Sequence, residues 1–83
     1  MRSEHTWKEK DKEGQKREVR VTRENSLWRF QSKLAGEEAW TYYKHPLMAD
    51  LETFRDLLKR KYQRRRASWD DILLVERMIH ENK

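Results

Sequence analysis

Polar and apolar positions alternate with period two through the first half of the chain, and the spacing becomes helical in the second. The alternation predicts strands over 4–10, 16–23, 27–34 and 38–44. Three turns divide them. Asp11-Lys12-Glu13-Gly14 and Lys33-Leu34-Ala35-Gly36 each read as a type I turn closed by a glycine in the left-handed region. Glu24-Asn25 reads as a tight two-residue connection.

These turns set a register. The first pairs Asp11 with Gln15, which puts Trp7 opposite Val19 and His5 opposite Val21. The second pairs Arg23 with Ser26, which puts Val21 opposite Trp28 and Val19 opposite Phe30. The third pairs Lys33 with Glu37, which puts Phe30 opposite Trp40 and Trp28 opposite Tyr42. All the large apolar residues then share one face, and a one-residue slip at any turn would break that agreement. The other face carries Lys8, Lys10, Arg20, Arg29, Gln31, Lys33, Thr41 and Tyr43, with Glu4 and Glu18. It is polar and net basic, as a solvated face of an antiparallel sheet should be. The other register at the third turn would move Trp40 and Tyr42 to this face, beside Arg29, Gln31 and Lys33. That would make a strong aromatic–basic surface, but it removes two large rings from a small core, so the inward placement is expected. The first strand is the weakest, since Trp7 is its only large apolar residue.

His45-Pro46 ends the strands. A helix over 47–65 follows, with Leu47, Leu51, Phe54, Leu58 and Tyr62 on one stripe and Pro46 suited to its start. Ser68-Trp69-Asp70-Asp71 has the form of an N-cap followed by acids, and opens a second helix over 69–81. Its apolar set, Trp69, Ile72, Leu73, Leu74, Val75, Met78 and Ile79, covers most of its circumference. Such a helix needs cover on more than one side; the sheet and the first helix could supply it, and if they do not, a second copy of the chain is the economical partner. The expected fold is α+β: one domain over 1–83, a four-stranded antiparallel meander with a two-helix hairpin packed on its aromatic face.

Composition narrows the function. The chain has 83 residues, of which 35% are hydrophobic and 42% charged, with a net charge of +5 and no cysteine. Disulfides and thiolate metal sites are excluded, and the compartment expected by default is the cytoplasm. No apolar run is long enough to span a membrane, and no membrane partner is expected. The positive charge favours acidic partners, although +5 also serves plain solubility.

The basic run Lys59-Arg60-Lys61-Tyr62-Gln63-Arg64-Arg65-Arg66 is the most prominent feature. Phosphate contact is the functional reading, through counterion release from nucleic acid. A solvated, dipole-compatible helix end is the plainer one. On a continuous helix these cations ring the helix end and do not line one stripe, which suits phosphate gripping better than base reading. A helix-turn-helix is disfavoured, because Asp70 and Asp71 would meet the phosphates. On the open sheet face, Tyr43 could stack a base while Arg20, Arg29 and Lys33 hold the backbone.

Catalysis has little support. His5, His45 and His80 have no ligand spacing. Glu76 and His80 sit one turn apart and read as a local helix contact. Ser26, Ser32 and Ser68 lie in no nucleophile motif, and Gly14 and Gly36 are too isolated for a phosphate loop. No enzyme, cofactor, metal or small-molecule substrate is expected. Two functions remain. One is a largely non-specific nucleic-acid module using Lys59, Arg60, Arg64, Arg65, Arg66, Arg20, Arg29, Lys33 and Tyr43. The other is a protein–protein adaptor or homo-oligomer using Leu73, Leu74 and Met78.

Overall fold

A computed structural model describes residues 4–82. It contains β1 (Glu4–Lys10), β2 (Lys16–Glu24), β3 (Leu27–Leu34), β4 (Thr41–Tyr43), α1 (Met48–Gln63) and α2 (Trp69–Glu81). The strands form one antiparallel sheet in sequence order, the expected meander. The backbone divides into two compact units, a sheet unit ending at His45 and a helical unit starting at Pro46.

The first turn forms as the sequence predicts. Gly14 has φ +81°, and the Asp11 carboxylate accepts from the Glu13 and Gln15 amides at 2.9 Å each. His5 therefore faces Val21 and Trp7 faces Val19. Despite its thin apolar content, β1 pairs with β2 along its whole length.

The second turn is displaced by one residue, which shifts the pairing register by two. Asn25 and Ser26 form the loop, and Glu24 pairs with Leu27. Asn25 takes φ +54°, a conformation asparagine tolerates better than most residues. Val21 thus faces Phe30 rather than Trp28, and Val19 faces Ser32 rather than Phe30. A shift of two preserves the faces, so Val19, Val21, Trp28 and Phe30 are all still buried on one side.

The third turn overturns the expected pairing. Its local form is right: Gly36 has φ +91°, and the Glu37 amide donates to the Leu34 carbonyl at 3.0 Å. The chain does not re-enter the sheet at Glu37, however. Ala35 still donates to the Lys16 carbonyl at 2.9 Å, and the Glu37 carboxylate accepts from the Leu34 amide at 2.8 Å. The first bond ties the corner to the start of β2 and the second closes it on itself, and pairing resumes only at Thr41, with Ser32↔Thr41, Gln31↔Tyr42 and Phe30↔Tyr43. The offset is odd, so every side chain of β4 changes face. Tyr43 joins the Val21–Phe30 row, and Tyr42 joins Gln31 and Arg20 on the other side.

A polar network accompanies this register. Trp7 Nε1 donates to Glu9 Oε1 at 2.7 Å, and Glu9 Oε2 lies 3.6 Å from Arg17. Arg17 donates to the Tyr43 hydroxyl at 3.2 Å, and that hydroxyl shares a 2.7 Å hydrogen bond with Ser32 Oγ. The chain of contacts visits all four strands. It gives Tyr43 a hydrogen-bonded position that the expected register would have left to an apolar ring.

In the helical unit, α1 and α2 pack against each other. Leu51, Phe54, Leu58, Ile72, Leu74, Val75 and Ile79 are buried, each such side chain contributing about 1.5–3 kcal/mol. Pro46 stands just outside α1, whose N-cap is Leu47. Ser68 caps α2 in a reciprocal box: its hydroxyl accepts from the Asp71 amide at 3.1 Å, and Asp71 Oδ2 accepts from the Ser68 amide at 3.3 Å. α1 stops at Gln63, two residues before the expected end. Arg65 takes φ +61° there, donating to the Tyr62 carbonyl at 2.9 Å while Arg66 donates to Lys61 at 2.7 Å. This is a Schellman stop with arginine where glycine is usual.

Candidate nucleic-acid interface

The flipped β4 changes what the outer sheet face offers. Its rows read Lys8–Glu18–Lys33, Thr6–Arg20–Gln31–Tyr42 and Glu4–Thr22–Arg29. Trp40 stands one residue before β4, and its contacts put its ring on the same side. The Arg20 guanidinium lies 4.3 Å from the Trp40 ring centroid, and the Lys33 ammonium 5.3 Å from it. Each such cation–π contact is worth roughly 0.5–1 kcal/mol at an exposed site. One ring thereby holds two cations near each other against their mutual repulsion. Tyr42 is 76% exposed, the most open large ring among the described residues.

Cations outnumber acids here: Lys8, Lys10, Lys16, Arg20, Arg29 and Lys33 against Glu4, Glu18 and Glu24. Two arginines have carboxylate partners, Arg29 with Glu24 at 2.9 Å and Arg20 with Glu4 at 3.6 Å. The Arg29–Glu24 pair is exposed and the Arg20–Glu4 pair is partly so, although Arg20 Nε itself is buried without a hydrogen-bond partner among the described residues; such pairs are worth about 0–1 kcal/mol. A phosphate can therefore compete for either guanidinium at small cost.

Among the described residues, two of the hollows on this unit lie near these cations. One, of about 240 Å³, lies beside Tyr42 and is lined by Thr22, Glu24, Arg29, Phe30 and Gln31. The other, of about 270 Å³, lies at the third-turn corner and brings together Lys8, Lys16, Arg17 and Lys33 with Glu18 and Glu37.

Arg20, Arg29 and Lys33 lie on the outer face as expected. Tyr43 does not. It faces the other side, its hydroxyl engaged by Ser32 and Arg17, and it offers no stacking surface to these cations. Trp40 and Tyr42 take the place assigned to it. Their sequence signal is their own spacing: two aromatics two residues apart, opposite strands rich in cations. The need for a larger core argues against that signal, and the corner hydrogen bonds that decide the matter leave no mark in the residue pattern.

In the helical unit the basic run is split. Lys59 and Arg60 are on α1, whereas Arg64, Arg65 and Arg66 form the turn after it and are exposed. The expected ring on a continuous helix therefore ends at Gln63. Lys59 pairs with Glu76 at 3.9 Å. Burial, and secondarily Arg66, hold the Lys61 ammonium below its ordinary pKa. Tyr62 and Trp69 pack across the turn as a tilted pair, with centroids 5.4 Å apart and ring planes at 54°. Of the apolar residues assigned to a partner, Leu73 is exposed, Met78 is half-buried and Leu74 is 7% exposed. Leu74 is thus core, because its side of α2 is covered, and only Leu73 presents a substantial apolar surface. Glu76 and His80 line a hollow of about 280 Å³ with Arg55 and Ile79, where Glu76 is engaged by Lys59.

Among the described residues, no group of three His, Cys, Asp or Glu side chains converges to hold a metal ion, and no helix is long and apolar enough to cross a membrane. No family model matches this chain, and no curated protein or solved structure matches it.

Proposed function

We propose that this chain is a small non-catalytic module that binds nucleic acid, with little sequence preference, through phosphate contacts. The outer sheet face supplies one set of cations, Lys8, Arg20, Arg29 and Lys33. The end of α1 supplies another, Lys59, Arg60 and Arg64 to Arg66. The observation that carries the reading is the position of Trp40 and Tyr42 among the sheet cations. A merely solvated face has no use for two aromatic rings, whereas stacking on aromatics beside a basic backbone track is how single strands are commonly held. Arg65 adds support from the second area. A left-handed arginine costs about 1–2 kcal/mol relative to an unstrained residue, and the exposed turn retains it where glycine would fit.

Fluorescence anisotropy with short labelled oligonucleotides over a salt series tests the proposal. Four sheet-face phosphate contacts on a single strand give a log–log slope near −3, from about −0.7 per contact. Lys33→Ala and Arg29→Ala should each reduce that slope by about 0.7. An absence of binding to both single- and double-stranded DNA and RNA at low salt refutes the reading.

A second reading has one observation in its favour. Leu73 and Trp69 are 49% and 52% exposed on α2, beside Tyr62 at 44%. We infer from this a protein contact through Leu73, with Met78 at its margin. Sedimentation at high concentration decides its self-association form: an assembly that Leu73→Glu dissociates supports it, and a wild-type monomer removes it.

A further inference from the structure

We infer that the outer sheet face takes single-stranded nucleic acid specifically, with one unpaired base stacked on Tyr42 and the flanking phosphates held by Arg20 and Lys33. This rests on the nucleic-acid reading above and adds the strandedness and the contact. Three features lead to it.

The first is shape. Four strands spaced about 4.8 Å apart span roughly 14 Å before side chains are added. A B-DNA major groove is about 12 Å wide and admits a helix or a two-stranded ribbon. This face cannot enter it. A single strand can lie across the sheet.

The second is the tyrosine itself. Tyr42 stands open, next to Gln31 in the same row, and flanks the hollow lined by Thr22, Gln31 and Arg29. A base on the ring would have amide and hydroxyl groups within the hollow for its edge. A duplex keeps its bases stacked on each other and offers no π-face to this ring.

The third is the grip beside it. Trp40 stands immediately before β4, two residues ahead of Tyr42. Trp40 holds the Arg20 and Lys33 heads at 4.3 and 5.3 Å from its centroid, which places both cations one step along from the stacked base. Trp40 is thus a positioning residue, acting through the cations, and Tyr42 is the contact residue.

The test compares two probes of equal length and charge, an oligothymidylate and a fully abasic oligomer, on the full chain. Stacking one base on an aromatic is worth about fivefold to a hundredfold in affinity. Wild type should prefer the oligothymidylate by a factor in that range. Tyr42→Ala should bring the ratio near one by weakening only the base-bearing probe, and Tyr42→Phe should keep it. Trp40→Ala should weaken both probes, the abasic one included. Circular dichroism checks that each variant folds. A wild-type ratio near one, or a ratio that Tyr42→Ala leaves unchanged, overturns the inference, and salt-dependent binding of both probes would then leave the broader reading standing. Failure of both probes to bind at low salt overturns both together.

Discussion

Changing the adjacent tyrosines of β4 to phenylalanine, one at a time, should have unequal effects on stability. Tyr43→Phe removes the hydroxyl that bonds Ser32 Oγ at 2.7 Å and accepts from Arg17 at 3.2 Å. Ser32 is 5% exposed, so its hydroxyl has little water to turn to. Leaving a buried polar group unpaired costs about 1–3 kcal/mol. Arg17 offsets part of this through Glu9 at 3.6 Å. The expected loss is therefore about 1–2 kcal/mol, or a fall in Tm of roughly 4–16 °C for a chain of this size. Tyr42→Phe removes a hydroxyl from an exposed ring and should stay within about 0.5 kcal/mol of wild type. Urea unfolding followed by tryptophan fluorescence measures both. Ser32→Ala closes a double-mutant cycle with Tyr43→Phe and should recover a coupling of about 0.5–1.5 kcal/mol. The opposite register exchanges the two tyrosines between faces. A silent Tyr43→Phe alongside a costly Tyr42→Phe would therefore refute the reasoning.

Arg65→Gly should raise stability by about 0.5–1 kcal/mol, because glycine adopts φ +61° without the Cβ penalty that arginine bears there; a loss in urea unfolding would contradict this. Ser68→Ala should lower stability by about 1 kcal/mol through loss of the capping box, and an unchanged urea midpoint would count against the box. Burial and then Arg66 hold Lys61 below its ordinary 10.5, so the unfolded chain binds that proton more tightly. Stability attributable to Lys61 should thus rise with pH as the residue titrates between its lowered value and 10.5. Alkaline urea titrations of wild type against Lys61→Gln check this, and identical pH slopes would contradict it.

Much of the fold is legible in the residue pattern. Period-two alternation and helical spacing locate all six elements, and Asp11 with Gly14 determines the first hairpin to the residue. The second hairpin shows the weakness of two-residue turns. Glu24-Asn25 and Asn25-Ser26 are equally tight, and the chain takes the second, with Asn25 at φ +54°. That ambiguity is harmless because it is even. At the third turn, Gly36 signals the bend, but two hydrogen bonds to Lys16 and Glu37 extend the corner by an odd number of residues. Glu37-Glu38-Ala39 contains no breaker that announces the extension. The candidate site depends on this corner, since it moves Trp40 and Tyr42 among the cations and takes Tyr43 away. In the helical unit, Arg65 hides the end of α1 for a similar reason: arginine carries no sequence signal for a left-handed stop.

The pairing of β3 with β4 is the claim on which the interface stands, and backbone nuclear Overhauser contacts across that pair test it directly. The account predicts cross-strand contacts that follow Phe30–Tyr43, Gln31–Tyr42 and Ser32–Thr41. Contacts that instead join Phe30 to Trp40 and Trp28 to Tyr42 would return both rings to the core side and contradict it.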